Sequence, residues 1–218
     1  MIVVVGNPLA RQSDKGIVAA GVAAAVGRVA AAAGADVQLV GKVGEGPTGD
    51  AILLSLAQAG VGHAAVLRDA SAASTIAPAA SDPEAVLDPI DPDEPALATE
   101  ETAPVTRPLD AGDLQLALRY LPDYRVVVVA DLFDEAALGT IVAAARWAGA
   151  QLIVVVPAGS TGSGVPEDAT VLEAPPVDAD GAFAAVVGAY AAALDRGATP
   201  ADAFASASVG SGWSAVVD

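Results

Sequence analysis

Two short runs constrain this chain more than any other feature. Ile2–Val5 and Val126–Val129, the latter inside Arg125–Ala130 (RVVVVA), are unbroken stretches of β-branched residues. β-Branched residues favour strands. A strand apolar at every position needs cover on both faces, which is the environment of a parallel sheet. Between and after them the pattern alternates. Ile17–Ala33 predicts a helix, with Val18, Val22, Val26, Val29 and Ala33 at helical spacing. Val37–Gly41 predicts a strand, Gly49–Ala59 a helix and Ala64–Leu67 a strand, with Ser74–Ala77 as a candidate fourth. Asp110–Arg119 predicts a short helix, and Asp134 is placed to cap a helix running to Trp147. Gln151–Val156 and Thr170–Glu173 predict strands, and Gly181–Leu194 a helix with Phe183, Val186, Val187, Tyr190 and Leu194 on one face. Thr199-Pro200 opens a last helix, with threonine as cap and proline at the first position. Such alternation implies a three-layer α/β/α sandwich around a mainly parallel sheet, in one domain spanning residues 1–218.

One segment breaks the pattern. Pro78–Leu109 holds seven of the fifteen prolines, eight acids and one base, Arg107, with no hydrophobic period. It reads as an acidic, proline-rich surface excursion. Asp88, Asp91, Asp93 and Glu94 within it offer oxygen ligands of the kind Ca²⁺ or Mg²⁺ takes, but no EF-hand glycine accompanies them, so a solvated loop is expected.

Composition then removes whole function classes. Zero cysteines exclude disulfides, thiolate metal sites and thiol nucleophiles. A single histidine, His63, excludes multi-histidine metal sites. A net charge of -17 makes nucleic acid and anionic membranes poor partners. No apolar run reaches membrane-spanning length and the N-terminus lacks the basic region of a signal peptide, so a cytoplasmic protein is expected. The 53 alanines, among residues counted 54% hydrophobic, predict closely packed helices rather than bulky apolar surface.

Several local patterns could bind anions. Gly44-Glu45-Gly46-Pro47-Thr48-Gly49 fits GxGxxG between a strand and a helix, with Asp69 twenty residues on, where a ribose-binding acid could sit. It follows the second strand and contains proline, so a tight strand-to-helix turn is the stronger expectation. Gly159–Gly164 (GSTGSG) follows a buried strand and could form a phosphate nest or simply a connector. Asp178 and Asp180, just before the helix at Gly181, are expected to act as caps at its positive end.

A longer pattern joins these fragments. Ala20-Gly21-Val-Ala-Ala-Ala25, Gly34-Ala-Asp, Val40-Gly-Lys-Val-Gly44-Glu-Gly-Pro-Thr-Gly49 and Ala59-Gly60-Val61 follow one another in the first third of the chain. Leu121–Val129 with Leu152–Ala158 follows, then Asp180-Gly181-Ala-Phe-Ala-Ala185 through Leu194-Asp-Arg-Gly197. Together these resemble, in order, the signatures of the ribokinase (PfkB-type) sugar kinases: GG-x-x-x-N, VGxVGDDxxG, a central strand ending in NPA, and the GAGDAFxAG helix. The resemblance implies a ribokinase-like fold, ATP and Mg²⁺ as cofactors, and phosphoryl transfer to a sugar hydroxyl.

The departures imply otherwise. The resemblance places a sugar-binding Asp where Arg11 stands, an Asn where Ala25 stands, and two glycines of which only Gly21 survives. GAGD becomes Asp178-Ala179-Asp180-Gly181, with Gly181 at the position of the general base and Asp180 one residue early. One residue along a helix turns a side chain by about 100°. Asn7–Gly16 is too short for the family's β-lid, and Ser160–Pro176 replaces the segments that shape its nucleotide pocket. The expected protein is thus a ribokinase-like fold without the β-lid, with no catalytic residue, no metal and no cofactor of its own. It acts as a binding, assembly or regulatory protein toward a small molecule or protein that the sequence does not name, with a homodimer open only through a non-lid surface. Two alternatives stay open: an active ATP- and Mg-dependent kinase using Asp180, and a nucleotide- or dinucleotide-binding module using Gly44–Gly49.

Overall fold

A computed structural model describes residues 1–14, 16–77, 106–160, 162, 164–176, 178 and 181–210. The strands are β1 (Ile2–Val5), β2 (Leu9–Ser13), β3 (Gly16–Ala20), β4 (Val37–Gly44), β5 (Val61–Asp69), β6 (Val126–Val129), β7 (Gln151–Pro157) and β8 (Thr170–Ala174). The helices are α1 (Gly21–Ala32), α2 (Pro47–Gln58), α3 (Ala111–Arg119), α4 (Glu135–Ala148), α5 (Ala182–Asp195) and α6 (Pro200–Gly210).

Six strands form one sheet in the order β5-β4-β1-β6-β7-β8, and all its pairings are parallel. The valine runs decide the layering. In β1, Ile2 and Val4 enter one core and Val3 and Val5 the other; Val126 and Val128 divide from Val127 and Val129 in the same way. One core is closed by α1, α2, α5 and α6, the second by α3 and α4. This is the expected three-layer sandwich, built by the two-residue period of strands with both faces covered.

Asp134 and Thr199 cap as the sequence suggests, while Asp110, read as the first residue of its helix, is the residue that caps it. Asp134 accepts from Ala137 N–H, and Asp110 forms a capping box with Asp113 at the start of α3. Thr199 accepts from Asp202 N–H at the start of α6.

The first predicted helix needs correction. Residues 16–20 are a strand, paired antiparallel with β2 in a separate hairpin, and the helix starts only at Gly21. The segment expected to be too short for the family's lid strands contributes β2, one half of this two-stranded hairpin. Ala19 shows why extended backbone is stable here. Its N–H donates to Ser55 Oγ at 3.0 Å and its carbonyl accepts from Arg28 Nη1 at 2.5 Å, so side chains satisfy the strand's outer edge. Ser74–Ala77 is not a strand of the sheet; it makes one bridge, Ile76 to Ala10, on the other side of the hairpin. Of the acidic excursion, Thr106–Leu109 is described, and Thr106 and Leu109 are buried rather than at the surface. Asp88, Asp91, Asp93 and Glu94 lie outside the described residues, as does the tail from 211.

Alanine and glycine set the helix spacing. A Cβ at Gly188 of α5 would lie 2.7 Å from Val29 Cβ and 2.8 Å from Val26 O of α1, closer than packed atoms come. Gly139, on the exposed side of α4, has nothing within 4 Å. Gly188→Ala is therefore expected to destabilise the protein by about 1–3 kcal/mol through overpacking. Gly139→Ala should stabilise it by up to about 1 kcal/mol through helix propensity. Urea unfolding of the two variants checks both signs.

Candidate functional site

In open α/β sheets ligands bind beyond the carboxyl ends of the strands, where successive crossovers diverge. Here β1 sits between β4 and β6, so the divergence falls at Gly6-Asn7. Asn7 ties the flanking segments together. Its Oδ1 accepts from Lys42 N–H at 2.9 Å, its Nδ2 donates to Arg107 O at 3.2 Å, and its own N–H donates to Asp131 Oδ2 at 3.4 Å. Gly41 lets the β1 loop lie flat on β4, since a Cβ there would be 2.7 Å from Gly6 O and 2.9 Å from Pro8 Cδ.

Charge is concentrated around this loop. Lys42 Nζ pairs with Asp113 Oδ2 at 2.5 Å, with side chains only 14% and 23% exposed. Asp113 also accepts from Asp110 N–H, so the capping box of α3 doubles as the lysine's counter-ion. Asp69, at the end of β5, is held below the ordinary carboxylate pKa by the Ser71 hydroxyl and N–H, with Arg107 and Lys42 adding to it. Asp110 is lowered by Asp113 N–H, then by Gly112 N–H and by Lys42. Lys42 and Asp113 were legible in sequence only as isolated charges, the lone lysine inside an apolar strand being the available signal, while Asp69, the candidate ribose-binding acid, is engaged by Ser71 of its own turn.

The residues expected to mark a sugar site are placed as follows. Arg11 lies exposed on β2. Gly21 starts α1 at φ +81° with Leu9 Cγ 3.1 Å from where a Cβ would be, so it admits the hairpin's Leu9 over the helix start. Ala25 is half-buried in α1 and offers no polar atom on its side chain. The helix start itself has no side-chain cap and no acid in its first turn.

At the other anion position the expectation of a cap holds for Asp178. Its Oδ1 accepts from Phe183 N–H at 3.0 Å and its Oδ2 from Ala184 N–H at 3.1 Å, both in the first turn of α5. Gly181 sits just before the helix in the left-handed region, φ +68°, and has no side chain to act as a base. Ala179 and Asp180 lie outside the described residues. A phosphate would need the amides that Asp178 already holds, and the carboxylate would repel it. Two amides at this helix start are therefore engaged by the chain's own carboxylate.

The other patterns take their plainer readings. A Cβ at Gly49 would lie 2.1 Å from Gly44 O, and one at Gly44 would lie 2.3 Å from Ala72 O. Gly44 N–H donates to Ser74 Oγ at 3.0 Å. Gly44 and Gly49 thus admit the protein's own backbone. Gly159 N–H donates to Glu173 Oε1 at 2.6 Å, so a carboxylate again holds a candidate anion-binding amide. His63 is half-buried in edge strand β5, its Nδ1 unpartnered among the described residues. Among the described residues, no group of three or more His, Asp or Glu side chains could hold a metal. A cavity of about 240 Å³ opens beyond β6 and β7, lined by Asp131, Leu132, Phe133, Val156, Ser160 and Gly162. A larger one of about 960 Å³ lies between α3 and α4 around Tyr124 and Trp147, at the opposite end of β6.

Known proteins agree with this geometry. A model of the pfkB family carbohydrate kinases matches residues 2–102. The PfkB protein from Polaromonas sp. JS666 superposes with a TM-score of 0.61 at 14% identity, over 98% of this chain and 96% of its own. The chain has the ribokinase-like fold, and its residues 2–102 are similar to the pfkB family. An E. coli protein assigned as ribokinase II, solved with ATP and Mg²⁺, superposes with a TM-score of 0.61 at 13% identity, over 94% of this chain and 89% of its own. Fructokinase from Xylella fastidiosa, solved with ATP, gives 0.50 at 18% identity, over 86% and 56%. No curated protein sequence matches the chain. At these identities the structural likeness establishes the shared fold, while the chemistry of this ribokinase-like protein has to be argued from its own side chains.

Two outcomes test the electrostatics. Asp113→Ala leaves Lys42 nearly buried without a counter-ion and should cost about 1–3 kcal/mol in urea unfolding. In carboxyl-carbon NMR titration, Asp69 and Asp110 should titrate below 3.8, and Ser71→Ala should move Asp69 back toward it. Because the folded values are depressed, any stability these groups add is present above 3.8 and lost as pH falls through their folded midpoints.

Proposed function

We propose that this ribokinase-like protein has lost phosphoryl transfer and serves as a non-catalytic binding, assembly or regulatory protein. The observation that carries the reading is the Asp178 carboxylate on Phe183 N–H and Ala184 N–H. Phosphoryl transfer depends on positioning and on donors aimed at developing negative charge. At α5 those donors are spent on the chain's own carboxylate. Glu173 on Gly159 N–H repeats the arrangement beyond β7. Support also comes from Gly181 at the expected base position and from Ala25 and Arg11 at the expected sugar positions. Other polar groups at the carboxyl edge of the sheet are engaged with one another, Lys42 with Asp113 and Asn7 with Lys42, Arg107 and Asp131.

ATP with Mg²⁺ at millimolar concentration should leave the melting temperature unchanged, and no Mg-dependent phosphate transfer to a sugar panel should be detected. A ligand at ~100 times its Kd stabilises the fold by about 2.7 kcal/mol, which a thermal scan reads directly. Transfer that disappears in Asp180→Ala would replace this reading with that of an active kinase. Asp178→Ala removes the cap and should cost about 0.5–2 kcal/mol. If the carboxylate is what closes the amides to phosphate, the same variant should gain measurable affinity for phosphate or ATP at α5.

A further inference from the structure

The groove between α3 and α4 differs from the rest of this acidic chain in both apolarity and charge. Its cavity of about 960 Å³ is lined by Leu118, Leu121 and Ala144, and Tyr124 Oη donates to Ala144 O at 3.1 Å, which ties the β6 approach to α4. Trp147 also lines it while 94% exposed, and Tyr120, at the end of α3, is 74% exposed. An indole in water forgoes the burial of about 150–250 Å² of mostly apolar surface. Exposed apolar patches of this kind mark interaction surfaces. The charges of the face cancel. Residues 111–124 and 140–148 hold two acids, Asp113 and Asp123, and two bases, Arg119 and Arg146, in a chain of net charge -17. Asp113 is bound to Lys42 and Arg146 to Asp168. Arg119 and Asp123 both line the groove and enter no ion pair among the described residues. Asp123 is also held at φ +60°, the one non-glycine residue at positive φ among the described residues.

We propose that this groove docks a second copy of the chain about a two-fold axis, with Trp147 of each copy seated in the other's groove and Arg119 of each paired with Asp123 of the other. A two-fold interface uses one patch twice, so the patch must complement itself. One unpaired cation and one unpaired anion on the same groove meet that condition, because rotation brings each opposite its counterpart. Net charge selects the occupant. A second copy is itself strongly acidic and is repelled by most of this surface, whereas a neutral apolar face lets it approach. A basic partner would instead be drawn to the acidic surface elsewhere. Trp147 supplies the kind of aromatic anchor on which binding energy concentrates, and Leu118, Leu121 and Ala144 supply the apolar surface that receives it. This surface lies at the opposite end of β6 from the polar groups around Asn7, and the proposal stands whether or not the chain transfers phosphate.

Analytical ultracentrifugation of the full chain, from about 1 to 200 µM, reads the dimer directly as twice the mass of the chain. Trp147→Ala should weaken the dimer at least about tenfold while far-UV circular dichroism stays that of the folded protein. Arg119→Glu and Asp123→Lys should each weaken it, since each sets like charges opposite one another. The double variant Arg119→Glu with Asp123→Lys should dimerise more tightly than either single variant, because the pair is restored with its signs exchanged. A purely structural role for these side chains would make the double variant the weakest of the three. Wild-type protein that stays monomeric at 200 µM would overturn the proposal. So would a dimer as tight in Trp147→Ala as in the wild type, or a double variant no tighter than the single ones. The readout is mass alone, with no nucleotide or sugar present, so its failure is separate from any failure of the non-catalytic reading.

Discussion

Everything in this fold hangs on β1 having no solvent-facing side. Ile2, Val3, Val4 and Val5 are each 0% exposed, so the strand exists only while both helix layers are in place. It pairs with β4 on one side and β6 on the other, and those strands carry the crossovers that diverge there. The same constraint locates the candidate site. With both faces covered, the chain at the end of β1 can meet a ligand only beyond the sheet's carboxyl edge. Asn7 stands at that point and is bonded to the ends of β4 and β6 and to the segment before α3.

The electrostatics of this edge follow one theme. Donors that could meet an anion are met by the protein's own carboxylates: Asp178 at α5, Glu173 at Gly159, Asp113 at Lys42. An internal carboxylate is covalently tethered, so it competes with a free anion at high effective concentration. In a strongly acidic chain this outcome needs no special device.

Much of the fold was legible because it rests on local period. The valine runs and the caps at Asp134 and Thr199 are patterns within a few residues, and each is where the pattern puts it. The failure at residues 16–20 is equally instructive. Ile17–Ala33 keeps helical spacing throughout, yet its first residues are extended. Ser55 and Arg28, distant in sequence, satisfy Ala19, and Gly21 turns the chain at positive φ. Periodicity weighs neither contribution, because long-range hydrogen bonds decide them. The GxGxxG motif shows the converse: spacing alone cannot say whether glycines make room for a ligand or for the chain itself, and here Gly44 and Gly49 make room for backbone.

The sequence by itself determined the α/β architecture, the absence of thiol and multi-histidine chemistry, the resemblance to the PfkB kinases and the substitutions at Arg11, Ala25 and Gly181. Those are matters of residue identity and short-range period. Tertiary structure alone decided that Lys42 finds Asp113, that Asn7 joins three segments, and that β2 and β3 form a hairpin at all. It also decided that both oxygens of Asp178 reach amides five and six residues on, turning a suspected cap into an occupied anion site. Each depends on groups brought together by folding, whose distances no local pattern encodes.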